Sequence, residues 1–131
     1  MSKVIHFEIP SDKPKRAANF YKKVFGWKIS NWGGQNYWVV EAGTKKEPGI
    51  NGGIAPRQGL FKKKGGISSY VCTISVKNLE ETAKKVKKAG GKWADKGGLV
   101  HGVGFMQYFK DTEGNLFGAL QPDTKAKTVP K

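Results

Sequence analysis

The stretch VIHFEIPSDKPKRAANFYKKVFGW, residues 4–27, decides the fold. In residues 4–9, Ile5, Phe7 and Ile9 alternate with His6 and Glu8, the period of a strand with one apolar and one polar face. Ser11 or Asp12 can then cap a helix with Pro14 in its first turn. Pro14, Ala18, Tyr21 and Phe25 recur at helical spacing, and Gly26 is the expected C-cap. The apolar strand face should meet that helix, which leaves His6 and Glu8 on the face turned away from it.

Outward from this start, WKISNW (27–32), the turn GGQN (33–36) and YWVVEA (37–42) read as a hairpin, followed by a short strand near GGIA (52–55). The second half gives the same order again. SYVCTISV (69–76) reads as a strand, and Asn78 caps a helix with Glu81 three residues on. Leu79, Ala83, Val86 and Gly90 continue the helical period. KWA (92–94), VGFMQYFKD (103–111), the turn TEGN (112–115) and LFGALQ (116–121) follow. Ala18 with Ala83, Tyr21 with Val86, Gly26 with Gly91 and Gly53 with Gly118 are each 65 residues apart, which implies an internal duplication. The expected class is α+β, two βαβββ modules whose helices cover one face of each sheet and whose other faces curve around a shared central cleft. The boundaries are module 1 at about 3–57, a linker at about 58–67, module 2 at about 68–121 and a tail at 122–131, within one domain spanning 1–131.

The formal charge of +14 creates a field that attracts anions, whether small ligands, nucleic acid or lipid. Arg16 and Arg57 are the only arginines among 24 basic residues, and the lysines are spread along the chain. Sequence-specific nucleic-acid readers favour arginine for bidentate contacts, so scattered lysine fits a solvated surface better and nucleic acid is the lesser partner. No segment approaches the roughly 20 apolar residues of a membrane helix, and no membrane partner is expected. The N-terminus lacks the features of an export signal, and Cys72 is the sole cysteine, which excludes an internal disulfide; a cytoplasmic protein is expected. Cys72 aligns with Phe7 by the repeat and is expected in the core. The glycine-rich stretches GINGG (49–53) and GGLVHGVG (97–104) lack P-loop spacing and read as turns or close strand approaches.

HFEIP with the helix KRAANFYKKVFGWK, EPGINGGI (47–54) and VGFMQYFKDTEGNLFGALQ (103–121) together resemble the vicinal oxygen chelate superfamily, which includes glyoxalase I, extradiol dioxygenases and fosfomycin- and bleomycin-resistance proteins. The resemblance covers residues 3–121 and implies the glyoxalase/bleomycin-resistance fold, in a protein that forms homodimers. In metal-dependent members the ion is held by side chains of the first and fourth strands of each module. The resemblance carries the first-strand position to His6 and its repeat partner Val71, and the fourth-strand positions to or beside Gly53 and Gly118. Of these, His6 alone retains a donor. A catalytic divalent ion needs about three protein ligands, and Val and Gly supply none.

The expected function is therefore small-molecule binding, with an anionic ligand among the options, on a fold whose metal site is degenerate. The pocket candidates are His6, Glu8, Asn51, Thr73, Phe105 and Gln107, the last three by strand alternation. No cofactor is expected, with a divalent metal as the alternative. A metal-dependent glyoxalase-type lyase or dioxygenase is the first rival function and a basic nucleic-acid-binding protein the second. Whether the chain is an enzyme stays open, with no catalytic residue assigned. His6 and Glu8 could act as an acid/base pair without a metal, and strand aromatics such as Tyr37 or Tyr108 could stack on a planar ligand.

Overall fold

The computed structural model describes residues 2–57, 68–100 and 103–123. In chain order the elements are β1 (Val4–Ser11), α1 (Pro14–Phe25), β2 (Lys28–Asn31), β3 (Trp38–Glu41), β4 (Asn51–Pro56), β5 (Val71–Ser75), α2 (Leu79–Lys88), β6 (Lys92–Val100), β7 (Gly104–Lys110) and β8 (Leu116–Pro122). This is an α+β chain that gives the order βαβββ twice. Its contacts divide it into an N-terminal unit, His6–Val71, and a C-terminal unit that joins Met1–Ile5 to Cys72–Lys131. Ser75 donates its backbone N–H to the Lys3 carbonyl at 2.9 Å, which ties those first residues to β5. The expected linker and all but two residues of the expected tail lie outside the described residues, as does His101.

The strands run β2-β3-β4-β1 in the N-terminal unit and β5-β8-β7-β6 in the C-terminal unit. β1 pairs with β4 in parallel, setting Glu8 opposite Gly53 and Ile9 opposite Ile54. β5 pairs with β8 in parallel, setting Thr73 opposite Gly118 and Ile74 opposite Ala119. Both members of each pair are displaced by the same 65 residues, so the repeat seen in the sequence is also a repeat of register.

In the N-terminal unit the face of β1 that carries Phe7 and Ile9 packs with Ala18 of α1 and with Ile29, Val40 and Ile54, while Tyr21, Trp27 and Trp38 close the margin. In the C-terminal unit the core is smaller, with Leu79, Phe109 and Ala119 edged by Val76, Ala83, Val86 and Phe117. Phe109 and Phe117 stack with centroids 5.7 Å apart. The difference follows from the helices. α1 ends in Tyr21 and Phe25, whereas the corresponding turn of α2 carries Val86 and lysines. That explains one correction: Cys72, expected in the core, is exposed, because α2 supplies no ring to cover the position that Trp27 and Tyr70 cover at Phe7.

The helix ends divide in the same way. Asn78 caps α2 as expected, its Oδ1 accepting from the Glu81 N–H at 2.9 Å, and Gln121 Oε1 accepts from the Leu79 N–H at 2.9 Å. α1 has no side-chain cap. Lys13 occupies the N-cap position, Ser11 Oγ accepts from the Lys13 N–H instead, and Asp12 is engaged by Arg57 Nε at 3.0 Å. Gly26 ends α1 in the left-handed conformation at φ 70°, as expected. α2 stops at Lys88, short of the expected Gly90, and the left-handed glycine after it is Gly90 at φ 98°, so Gly26 corresponds to Gly90 and not to Gly91.

β6 is longer than the three residues expected. It runs through the glycine-rich segment to Val100, with register shifts between Trp93 and Asp95 and between Lys96 and Gly98. Gly98, at φ 78°, lets the strand bulge and continue where a loop was expected. Among the described residues no helix is long and apolar enough to cross a membrane.

Candidate functional site

Strand alternation and register place His6 and Glu8 of β1 on the face of the N-terminal unit opposite Phe7, Ile9 and α1. Asn51 and Gly53 are their partners on β4 and share that face. Val39 pairs with Gly53, so Tyr37, two residues earlier, projects to the same side. The contact is direct. A Cβ built on Gly53 would fall 1.8 Å from the Tyr37 hydroxyl and 2.3 Å from its Cζ. Glycine at 53 is thus the condition for the phenol to lie where it does.

The electrostatics of this face follow from half-burial. Desolvation holds the His6 imidazole below its ordinary pKa, so it is neutral near pH 7. Burial first, and the nearby Glu8 carboxylate second, push the Tyr37 phenol well above its usual value, so it remains a protonated donor. A neutral imidazole, a phenolic O–H and a carboxylate offer donors and acceptors for a polar molecule. Asn51 is on this face but committed elsewhere: its Oδ1 accepts from the Ala42 N–H at 3.3 Å. It lines a cleft of about 550 Å³ together with Trp27, Glu41, Thr44 and Glu47. A second cleft, of about 600 Å³, lies at the start of α2 and is lined by Ser75, Asn78, Glu81 and Lys85.

In the C-terminal unit, Thr73 is 2% exposed and shares a face with Gly118. Tyr108 pairs with Gly118, and Met106 lies two residues before it on the same side. A Cβ on Gly118 would meet the Met106 methyl at 2.5 Å and Thr73 Oγ1 at 3.1 Å. Phe105 and Gln107 are on the other face. Gln107 pairs with Ala119, a core residue beneath α2, so the structure does not bring these two together with Thr73. The alternation was counted one residue out of phase: Met106 and Tyr108 share the Thr73 face, and Phe105 and Gln107 share the Phe109 face.

Sequence reasoning missed Tyr37 and Met106 as site elements. They are equivalent, because each precedes by two the residue paired with its unit's glycine, and each fills the space above that glycine. The signal available was a glycine inside each strand β4 and β8, which marks a close approach without naming what approaches.

These contacts decide whether the chain fits the metal implied by the resemblance. The two fourth-strand positions are glycines, and the space a ligating side chain would enter is taken by Tyr37 in one unit and Met106 in the other. Val71 has no donor. Among the described residues no group of three or more His, Cys, Asp or Glu side chains converges. The residues present do not fit a divalent catalytic ion.

The family model of the Glyoxalase/Bleomycin resistance protein/Dioxygenase superfamily matches residues 3–118. A glyoxylase-like domain-containing protein of Didymella fabae is 36% identical over 114 residues, covering 82% of this chain and 84% of that protein. The provisionally named glyoxylase CFP32 of Mycobacterium bovis is 29% identical over 118 residues, covering 88% of this chain but 42% of that protein, so the chain spans less than half of that relative. Among solved structures, a methylmalonyl-CoA epimerase in complex with methylmalonyl-CoA and NH4+ aligns with a TM-score of 0.64 over 98% of this chain and 99% of that one. At 12% identity that likeness concerns the fold alone.

Proposed function

Because the chain belongs to the glyoxalase/bleomycin resistance protein/dioxygenase superfamily, we propose that it is a metal-independent member that binds a small polar molecule on the N-terminal face carrying His6, Glu8 and Tyr37. The observation that carries this reading is the Tyr37 phenol above Gly53: it fills a position that the metal-dependent members would give to a ligand and puts a protonated donor there. The net charge of +14 raises the local concentration of anions, so a small carboxylate or phosphate is the favoured ligand class. A metal-dependent lyase or dioxygenase would need donors that Val71, Gly53 and Gly118 lack. The reading includes a single domain, a homodimer and a cytoplasmic setting, the last in keeping with a lone, exposed cysteine.

A thermal-shift screen of small carboxylates and phosphates tests it, repeated on His6→Gln, Glu8→Gln and Tyr37→Phe. The expected result is a ligand whose stabilisation shrinks in at least two of the three variants. Ligands that stabilise all four proteins equally, or none that stabilises the parent, would overturn the assignment.

A further inference from the structure

We propose that the outer face of α1 docks on an anionic lipid surface. Phe20, Val24 and Phe25 are 56%, 54% and 59% exposed, and Tyr70 beside them is 50% exposed. Phe20 and Val24 are one helical turn apart and form an apolar stripe that continues past Tyr21. The stripe is held firmly. Phe20 packs edge-on against Tyr21 with centroids 5.2 Å apart, and Tyr21 stacks on Trp27 at 5.2 Å and 6°. Tyr70 stacks on Phe7 and donates its hydroxyl to Tyr21 Oη at 2.7 Å. A preorganised apolar face of this kind loses little side-chain entropy on insertion.

The surrounding charge selects the occupant. The segment PKRAANFYKKVF contains Lys15, Arg16, Lys22 and Lys23, all exposed, and no acidic residue. A basic helix with an exposed apolar stripe lies in the interface of an anionic bilayer, where each nearby cation adds to binding and the apolar side chains enter the acyl boundary. α2 makes the contrast: its first turn carries Glu80 and Glu81, and it exposes no large apolar side chain. A second copy of the chain is disfavoured by like charge, since each protein carries +14. Single-stranded nucleic acid stacks bases on free aromatic faces, whereas Tyr21, Phe25 and Trp27 stack on one another and Val24 offers no such face. The expectation of no membrane partner rested on the absence of a spanning segment, and a peripheral contact requires none.

Co-sedimentation with phosphatidylcholine–phosphatidylserine vesicles, beside vesicles of phosphatidylcholine alone, tests the proposal. Binding is expected only where phosphatidylserine is present, and it should disappear at about 1 M salt. The surface variant F20S/V24S should bind about tenfold more weakly with its charge unchanged. K22E/K23E should weaken binding by about tenfold or more with the apolar stripe intact. Equal sedimentation with both vesicle types, or with the parent and F20S/V24S, would overturn it. So would light scattering that shows a dimer dissociated by F20S/V24S without vesicle binding, or tight oligonucleotide binding lost in the same variant.

Discussion

Gly53 lies beneath a phenol and Gly118 beneath a thioether methyl, and the two positions are otherwise one position repeated. Around Gly53 the shared face carries His6, Glu8 and Tyr37; around Gly118 the equivalent places hold Val71, Thr73 and Met106. The parallel pairing and the third-strand plug are common to both units, and the polarity is not. The frame depends on main-chain register and on glycine, which tolerate divergence of the facing side chains. Chemistry depends on those side chains, and it is concentrated in the N-terminal unit.

The largest expected effects probe the plugs themselves. Gly53→Ala drives a methyl into the Tyr37 ring, which must swing as a rigid body, and should cost about 1–3 kcal/mol in chemical denaturation. Gly118→Ala meets the flexible end of Met106 and should cost less than about 1 kcal/mol. Pairing Gly53→Ala with Tyr37→Ala should give a non-additive cycle, because the second change removes the obstacle to the first. Equal costs at the two glycines, or additivity at Gly53, would break the comparison.

A smaller difference is expected at the helix starts. Asn78→Ala removes the cap of α2 and should cost about 1 kcal/mol, whereas Ser11→Ala before uncapped α1 should cost only about a few tenths. Urea titrations of the two variants decide whether the second helix depends on its cap more than the first.

The finest distinction is in pH dependence. His6 has a folded pKa depressed by burial below its ordinary value of 6.5, so the unfolded chain takes up its proton first. Stability should fall as the pH drops below 6.5 and level off once the folded imidazole also protonates. His6→Val, which installs the residue found at the equivalent position 71, should remove that component from thermal unfolding measured across the range. An unchanged pH profile would show that the imidazole is not desolvated.

Much of this was legible in residues 4–27, because periodicity reports elements and their apolar faces directly: β1, α1, the Gly26 stop and the outward face of His6 and Glu8 all follow from local spacing. The Asn78 cap was legible for the same reason. The plugs were not. Tyr37 and Met106 reach their glycines diagonally across strands, and the residues between β3 and β4 (42–50) outnumber those between β7 and β8 (111–115), so the two plugs are not 65 residues apart and no fixed offset aligns them. Nor was the exposure of Cys72, since it depends on which side chains α2 lacks and not on Cys72 itself. Gly97 and Gly98 concealed the length of β6 because a glycine pair signals a loop and a bulged strand alike.

The central claim is that the His6 face works without a metal because Tyr37 fills the position a ligand would need. Calorimetric titration of nickel, zinc and manganese into the metal-stripped, tag-free protein, alongside His6→Ala, tests it most directly. The account requires no stoichiometric binding that depends on His6. One tight ion per chain, lost in His6→Ala, would contradict it.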